Sequence, residues 1–473
     1  VHPLAPFDLV TTLAVIGAVI VIAALLSGVV DRSGIPQVAI FLALGAVLGP
    51  AGVAVLEVEL DSQILRVVAT LSLALILFTD ALALDLREAR EHRTLALLAV
   101  GPGTLLSAVL YAALGWWLLD LAPAAAAILG AAVASTDPVL LKGLLRRRDL
   151  PAAARQALRL ESGLNDVVLL PIVLVAMAWL GSGPPAAGNG MARLGLELFL
   201  LGPGAGVAVG LLGLGALELV RRRIGVRRDY ESLYSLGIAF AAYAAAEAVH
   251  GSGFLAAFAA GLTITAFDAE LCECFREYGE TTAELALLLT FVLLGSSLIW
   301  TGVAEASLAS LLFAVLVLAG RPLVYRLALA GSGVDARSRT LVSWFGPRGL
   351  SSLLLVLLPV FAGTPGSEPL FRVTCLVVLL SVLLHGGALA WTAPRAGSAA
   401  GALQEPELIR IDALRALRDA GAKLVVGDVR SDEAWREGED QAQGALRLSP
   451  ERPAETARVL GLPSDAWLVL YCT

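Results

Sequence analysis

The stretch ALRLESGLNDVVLLPIVLVAMAWLG, Ala157 to Gly181, is long and apolar enough to cross a bilayer. Glu161, Ser162, Asn165 and Asp166 nevertheless stand near its start. A charged side chain at the bilayer centre costs about 3 kcal/mol on insertion scales, so such residues persist chiefly at functional positions. Ser162 and Asp166 are i,i+4, as are Glu161 and Asn165, which lays two polar stripes side by side on one helical surface. A buried polar patch that joins helices is one reading. A carboxylate site for a small cation is the other.

Outward from this helix the composition keeps the same character. The 473 residues are 58% hydrophobic and 16% charged, with a net charge of −7 and a mean hydropathy of +0.80. A soluble protein carries about 25% charged residues, so an ordinary soluble enzyme is excluded and most of the chain is expected in lipid. Phe7 to Val30 has no basic region before it and reads as a retained transmembrane helix, not a signal peptide. Cys272 and Cys274 form a C-x-C pair with no second pair beside them, and Cys375 and Cys472 stand alone. Neither a zinc site nor a disulfide framework is indicated.

Apolar windows long enough to span the ~30 Å core number about thirteen. They run roughly over 7–30, 35–52, 63–82, 94–119, 122–141, 157–181, 194–220, 232–249, 253–268, 281–300, 305–329, 338–361 and 370–391. With the N-terminus outside, the inward loops carry Arg32, then Arg87, Arg90 and Arg93, then Lys142, Arg146 to Arg148 and Arg155. Arg221 to Arg223, Arg227, Arg228, Arg276, Arg337 and Arg339 continue the series, while the outward loops hold only Arg193. Cytoplasmic loops are enriched in Lys and Arg, so this alternation predicts a multi-pass plasma-membrane protein with a cytoplasmic C-terminus. The arginine clusters read as topological anchors on anionic lipid heads, and no nucleic-acid partner is implied.

Two spans contain conspicuous breakers. Ser135, Thr136, Asp137 and Pro138 interrupt the fifth, and Trp344 to Gly349 (WFGPRG) interrupt the twelfth. Proline removes a backbone donor and clashes with the preceding turn, so each helix is expected to break at membrane depth. Irregular backbone there is tolerated where it lines a cavity or is buried in protein, and freed carbonyls and half-helix ends become ligands or fixed partial charges. An odd helix offset separates the two spans, so they run in opposite directions. That pattern predicts an inverted-repeat transporter whose core joins spans four to six with eleven to thirteen.

ASTDPV at Ala134 to Val139, ESGLNDV at Glu161 to Val167 and GPRGLSS at Gly346 to Ser352 resemble the monovalent cation/proton antiporter family. The closer resemblance is to its sodium/proton exchanger branch with Asn-Asp on the sixth helix, and it covers residues 1 to about 391. The resemblance implies an all-α polytopic membrane fold with inverted repeats and two broken, crossing helices. It implies antiport of a monovalent cation, sodium foremost with potassium or lithium as alternatives, against protons, as a homodimer and with no cofactor. Asp166 would be the carboxylate that binds cation or proton, with Thr136 and Ser162 as oxygen ligands to sodium. Asp137 would sit at the crossing point, Asn165 would be the neutral member of its pair, and Arg348 would pair with Glu161. The family's acid on the third span is Thr79 here, followed by Asp80, which leaves Asp80 a weak candidate. A single available carboxylate beside Asn165 implies one-for-one, electroneutral exchange.

Arg321, inside the eleventh span, reads as a helix-packing or counter-charge residue. His385 in the last span reads as a packed or pore-edge histidine. After residue 393, an Ala/Gly/Ser linker at 394–404 leads into a short α/β segment at 405–473, in which IRIDALRALRDAG reads as a helix and KLVVGDVR and WLVLYCT as strands. VVGDVRSDEAW at Val425 to Trp435 and LVLYC at Leu468 to Cys472 resemble an incomplete rhodanese domain, with Cys472 at the nucleophile's position. The anion-cradling loop that would lower the thiol pKa is not found before Thr473, so no sulfurtransferase activity is expected of the tail. A membrane-anchored sulfurtransferase or sulfur sensor is the alternative reading of the whole chain, and the number of spans weighs against it.

Overall fold

The computed structural model describes residues 37–84, 93–145, 150–182, 189–223, 228–267 and 273–392, together with parts of 14–25 and of 414–471. The chain divides into two compact units, Val1–Ala393 and Pro394–Thr473.

The first unit is helical. In chain order it contains α1 (Gln37–Leu48), α2 (Gln63–Ala83) and α3, built from Arg93–Leu98, a π turn at Ala99–Gly103 and Thr104–Leu118. Next come α4 (Pro123–Ala134), α5 (Pro138–Leu145), α6 (Ala152–Ser182) and α7, in which Asn189–Leu196 passes through a π turn at Glu197–Leu201 into Gly202–Arg223. The series ends with α8 (Arg228–Ala248), α9 (Gly253–Ala266), α10 (Glu273–Ser296), α11 (Leu308–Ala328), α12 (Ala336–Trp344), α13 (Leu350–Phe361) and α14 (Ser367–Thr392). Eight helices among the described residues are long and apolar enough to cross a membrane, and α1, α9 and α13 are among the shorter apolar ones. Each apolar window from the second to the last holds a helix or a broken pair of helices, whereas the first lies mostly outside the described residues.

The helices pack as two groups. α3 to α6 associate with α11 to α14, while α1 and α2 associate with α7 to α10. The groups meet where α2 touches α6 and α13. With lipid around them, helices gain little from hydrophobic exclusion, so close approach of small residues holds them together. Gly206 of α7 lies so near Ala256 of α9 that any Cβ there would overlap its backbone.

Both predicted breaks are present. Pro138 cannot donate to Ala134, so α4 ends at Ala134 and α5 restarts at Pro138, with Ser135 in extended conformation between them. Phe345 to Gly349 likewise separate α12 from α13. The breaks touch directly, since the Asp137 N–H donates to Pro347 O at 3.0 Å. By contrast Pro171, Pro322 and Pro359 are absorbed within α6, α11 and α13.

The second unit holds a parallel sheet of order β2-β1-β3 among its described residues: β1 (Leu424–Asp428), β2 (Leu446–Arg447) and β3 (Trp467–Tyr471). The expected strands at KLVVGDVR and WLVLYCT are therefore there, in register Leu424 to Trp467 and Asp428 to Tyr471. The Ile409–Gly421 helix lies almost wholly outside the described residues, and so does Cys472.

A buried crossing with a carboxylate beside it

Two broken helices present four half-helix ends, and each end meets a polar partner. The Asp137 carboxylate accepts from the Val139 N–H (2.8 Å) at the start of α5 and from the Leu350 N–H (2.8 Å) at the start of α13. One negative side chain thus caps two positive dipole ends. Gly349 is required at this meeting, because a Cβ there would overlap the Asp137 carboxylate. At the other pole, Arg348 Nη1 donates to Ala134 O, which Pro138 leaves without a helical donor, and to Ser135 O, whose helical donor Val139 N–H is taken by Asp137. Its Nη2 donates to the Tyr111 hydroxyl of α3 at 3.1 Å. The end of α12 is served by Arg321, whose Nη2 reaches Val342 O (3.1 Å) and Phe345 O (3.4 Å).

Arg321 is also the partner of Glu161, through Nη1–Oε1 and Nη2–Oε2 contacts of 2.7 Å each. This corrects the expected Glu161–Arg348 pair. Arg348 leaves the chain inside the break, where its guanidinium meets the carbonyl end of α4. Arg321 projects from α11 toward α6, and its planar fork matches the carboxylate. Arg321 is thus a counter-charge, one of the two roles its place in the sequence allowed.

The polar stripes of α6 face the first break. Asn165 Nδ2 donates to Thr136 Oγ1 at 2.6 Å and to Thr136 O at 3.3 Å, and the Thr136 hydroxyl donates to Glu161 Oε1 at 3.3 Å. Asp166 Oδ1 accepts from the Ser135 hydroxyl at 2.5 Å. Thr136 therefore serves Asn165 and Glu161, and Asp166 is bonded by the Ser135 hydroxyl with the Ser351 hydroxyl beside it. Ser162 turns back to Arg159 O of its own helix at 3.3 Å, so in this arrangement its oxygen is not shared with Asp166. Sequence reasoning missed Ser135, although its place beside Thr136 in an extended segment, where neighbouring side chains face opposite ways, was a usable signal. Ser351, beside Asp166, lies in the GPRGLSS motif without having been singled out, and Tyr111 and Ser381 carried no such signal.

Asp166, Asn165, Thr136 and Asp137 are all buried, each at 2% exposure or less. Two oxygens among them have no hydrogen-bond partner: Asp166 Oδ2 and Asn165 Oδ1. Buried acceptors are nearly always satisfied, so two orphans on consecutive residues call for an absent donor or cation. Carboxylate, amide and hydroxyl oxygens suit a hard cation. Asp80 lies on α2 in the other helix group and is half-buried; Thr79 before it bonds back to Leu75 O and Ile76 O at 2.9 and 3.1 Å.

A helical bundle in which two interrupted helices cross beside a buried, unsatisfied carboxylate defines a polytopic membrane protein of the crossed-helix type. The profile of the transmembrane sodium/hydrogen exchangers matches residues 18–394, and the chain belongs to that family. It is 29% identical over 391 residues to the K(+)/H(+) antiporter NhaP2 of Shewanella sp. (strain MR-4), a match covering 81% of this chain and 66% of that protein. The K(+)/H(+) antiporter NhaP of Alkalimonas amylolytica is 26% identical over 381 residues, covering 79% of this chain and 65% of the relative. The chain thus spans slightly less than two thirds of these relatives. In fold it resembles the sodium proton antiporter MjNhaP1 of Methanocaldococcus jannaschii, with a TM-score of 0.67 at 20% identity, covering 80% of this chain and all of that one.

Proposed function

We propose that the protein is a secondary antiporter that exchanges a monovalent cation for a proton by alternating access. The observation that carries this is the pair of buried, unpartnered oxygens, Asp166 Oδ2 and Asn165 Oδ1, at the side of the helix crossing. A cation and a proton satisfy the same carboxylate in turn, and neither can occupy it while the other does. If the site crosses only when filled, the two fluxes are coupled. Asp166 is the exchanging group. Asn165 supplies a neutral oxygen, and hydroxyls of the first break, Ser135 and Thr136 with Ser162 on α6, complete the oxygen set for sodium or potassium. Asp137 and Arg348 fix the half-helix ends, and the Glu161–Arg321 pair is structural.

Since Asn165 carries no charge, one cation replaces one proton and transport is electroneutral. The named functions of relatives, K(+)/H(+) for NhaP2 and sodium/proton for MjNhaP1, bracket the substrate as an alkali cation. A bacterial plasma-membrane homodimer of thirteen spans related by inverted repeats, N-terminus outside, belongs to the same proposal. The tail is a cytoplasmic, rhodanese-like appendage.

Proteoliposomes carrying the purified chain and an internal pH dye test the reading. Sodium, potassium or lithium added outside should drive protons out of the lumen, without generating a membrane potential, and Asp166→Asn should abolish the response. No proton movement with any of the three salts would overturn it.

A further inference from the structure

Across the second break, Phe345 to Gly349, the helical ladder stops after Phe345 N–H to Leu341 O and resumes with Leu353 N–H to Gly349 O, and Trp344 before the break and Arg348 within it are held from α14. Arg348 N–H, within the break, donates to Ser381 Oγ at 2.7 Å. Trp344 O, before the break, lies 3.2 Å from His385 Nε2. Ser381 and His385 are i,i+4 on one face of α14 and touch each other, with Ser381 Oγ 3.1 Å from His385 Nδ1. His385 Nδ1 also lies 3.1 Å from Ser381 O. Both side chains are buried, at 0% and 5% exposure. Each ring nitrogen faces a carbonyl, which only accepts, so the two tautomers differ in which one the ring serves. With the proton on Nε2 the ring donates to Trp344 O and Nδ1 accepts from the Ser381 hydroxyl, whose oxygen in turn accepts from Arg348 N–H; with the proton on Nδ1 it donates to Ser381 instead.

We propose that Ser381 and His385 form a clamp that replaces the missing helical bonds of the broken segment, making His385 a positioning residue for the cation site. This rests on the exchanger reading for its effect on transport. The linkage runs in one direction from α14 to the carboxylate. The clamp fixes Trp344 O and Arg348 N; between them Pro347 O accepts from Asp137 N, and beyond them Leu350 N binds the Asp137 carboxylate. Arg348 in turn holds the carbonyl of Ser135, the residue whose hydroxyl binds Asp166. Releasing the clamp lets the second break relax and carries Ser135 away from its present contact. A histidine suits the place because one rigid ring offers a donor and an acceptor at fixed separation.

The full-length chain is tested as His385→Leu, His385→Gln, Ser381→Ala and the Leu/Ala double variant. Cation-driven proton movement is recorded against sodium and potassium concentration, and backbone hydrogen exchange is recorded over residues 344–353. His385→Leu is expected to raise the apparent KM about tenfold, in keeping with a lost buried hydrogen bond, with little change in maximal rate per inserted molecule. His385→Gln, which keeps a donor at the ε position, should recover most of that affinity. Ser381→Ala should act in the same direction, and the double variant should be no worse than the worse single. An unchanged KM in both His385→Leu and Ser381→Ala overturns the positioning role, whatever the yield of folded protein. If the wild-type chain moves no protons, the exchanger reading falls. The clamp is then judged by hydrogen exchange alone, which must rise over residues 344–350 in His385→Leu.

Discussion

Glu161 and Arg321 face each other through two parallel contacts of 2.7 Å, with side chains 1% and 3% exposed. A pair buried this deeply contributes little net stability as a pair, but removing one partner leaves a bare charge and costs about 3–5 kcal/mol. Glu161→Gln and Arg321→Met should each lower the thermal midpoint in detergent strongly, and the double variant should regain most of the loss. A double-mutant cycle between Glu161 and Arg348 should show weaker coupling than the Glu161–Arg321 cycle, since the two share no direct contact and interact only as buried charges at longer range. A 161–348 coupling larger than the 161–321 one would reinstate the pair expected from sequence.

The two hydroxyls of the first break have separable roles. Ser135→Ala removes the hydrogen bond to Asp166 and should raise the apparent KM for the transported cation roughly tenfold, the scale of a hydrogen bond to a charged group. Thr136→Ala instead breaks the link between Asn165 and Glu161 and should lower stability more than affinity. Exchange kinetics and thermal shifts on the same preparations separate the two effects; equal KM values in the Ser135 variant and wild type would remove Ser135 from the site.

Gly349 sits where the Asp137 carboxylate bonds Leu350 N. Gly349→Ala should cost about 1–3 kcal/mol, as overpacking does, and abolish exchange through loss of the crossing geometry. Alanine at Gly363, which has open space around it but a φ of +65°, is the control: it strains a loop and should leave transport intact. Thermal unfolding and exchange assays read both.

In the second unit the Arg430 guanidinium, with the Tyr471 hydroxyl beside it, holds the Asp428 carboxyl well below the usual carboxylate range. A depressed carboxylate stabilises the fold fully above its unfolded value near pH 4, and the contribution drains away as pH falls toward the folded value. Measured relative to an unfolded control substrate at the same pH, pepsin digestion of the whole chain should therefore cut within 394–473 faster at pH 2 than at pH 4. Tyr471→Phe should move that acceleration to higher pH.

Much of the fold was legible because lipid simplifies the code. Length and apolarity mark helices, Pro138 and Gly346–Pro347 mark the breaks, and all are properties of a single segment. Asp166 was legible for the same reason, as a charge in an apolar helix. Partners were less so. Arg348 and Arg321 each carry a charge at membrane depth, and nothing along the chain says which one Glu161 meets. Ser135 and Thr136 are neighbours, and only the direction of the extended backbone decides which hydroxyl reaches Asp166. His385 reads as an ordinary buried ring until Ser381 and Trp344 are placed beside it.

The sequence by itself determined that this chain is a bundle of membrane helices with two interruptions and an intramembrane carboxylate, because periodicity, length and proline chemistry are local. The tertiary structure decided who compensates whom: Arg321 with Glu161, Arg348 with the end of α4, Asp137 with the starts of α5 and α13. Each partnership depends on angles and distances between helices far apart in the chain, which packing fixes and no single segment encodes.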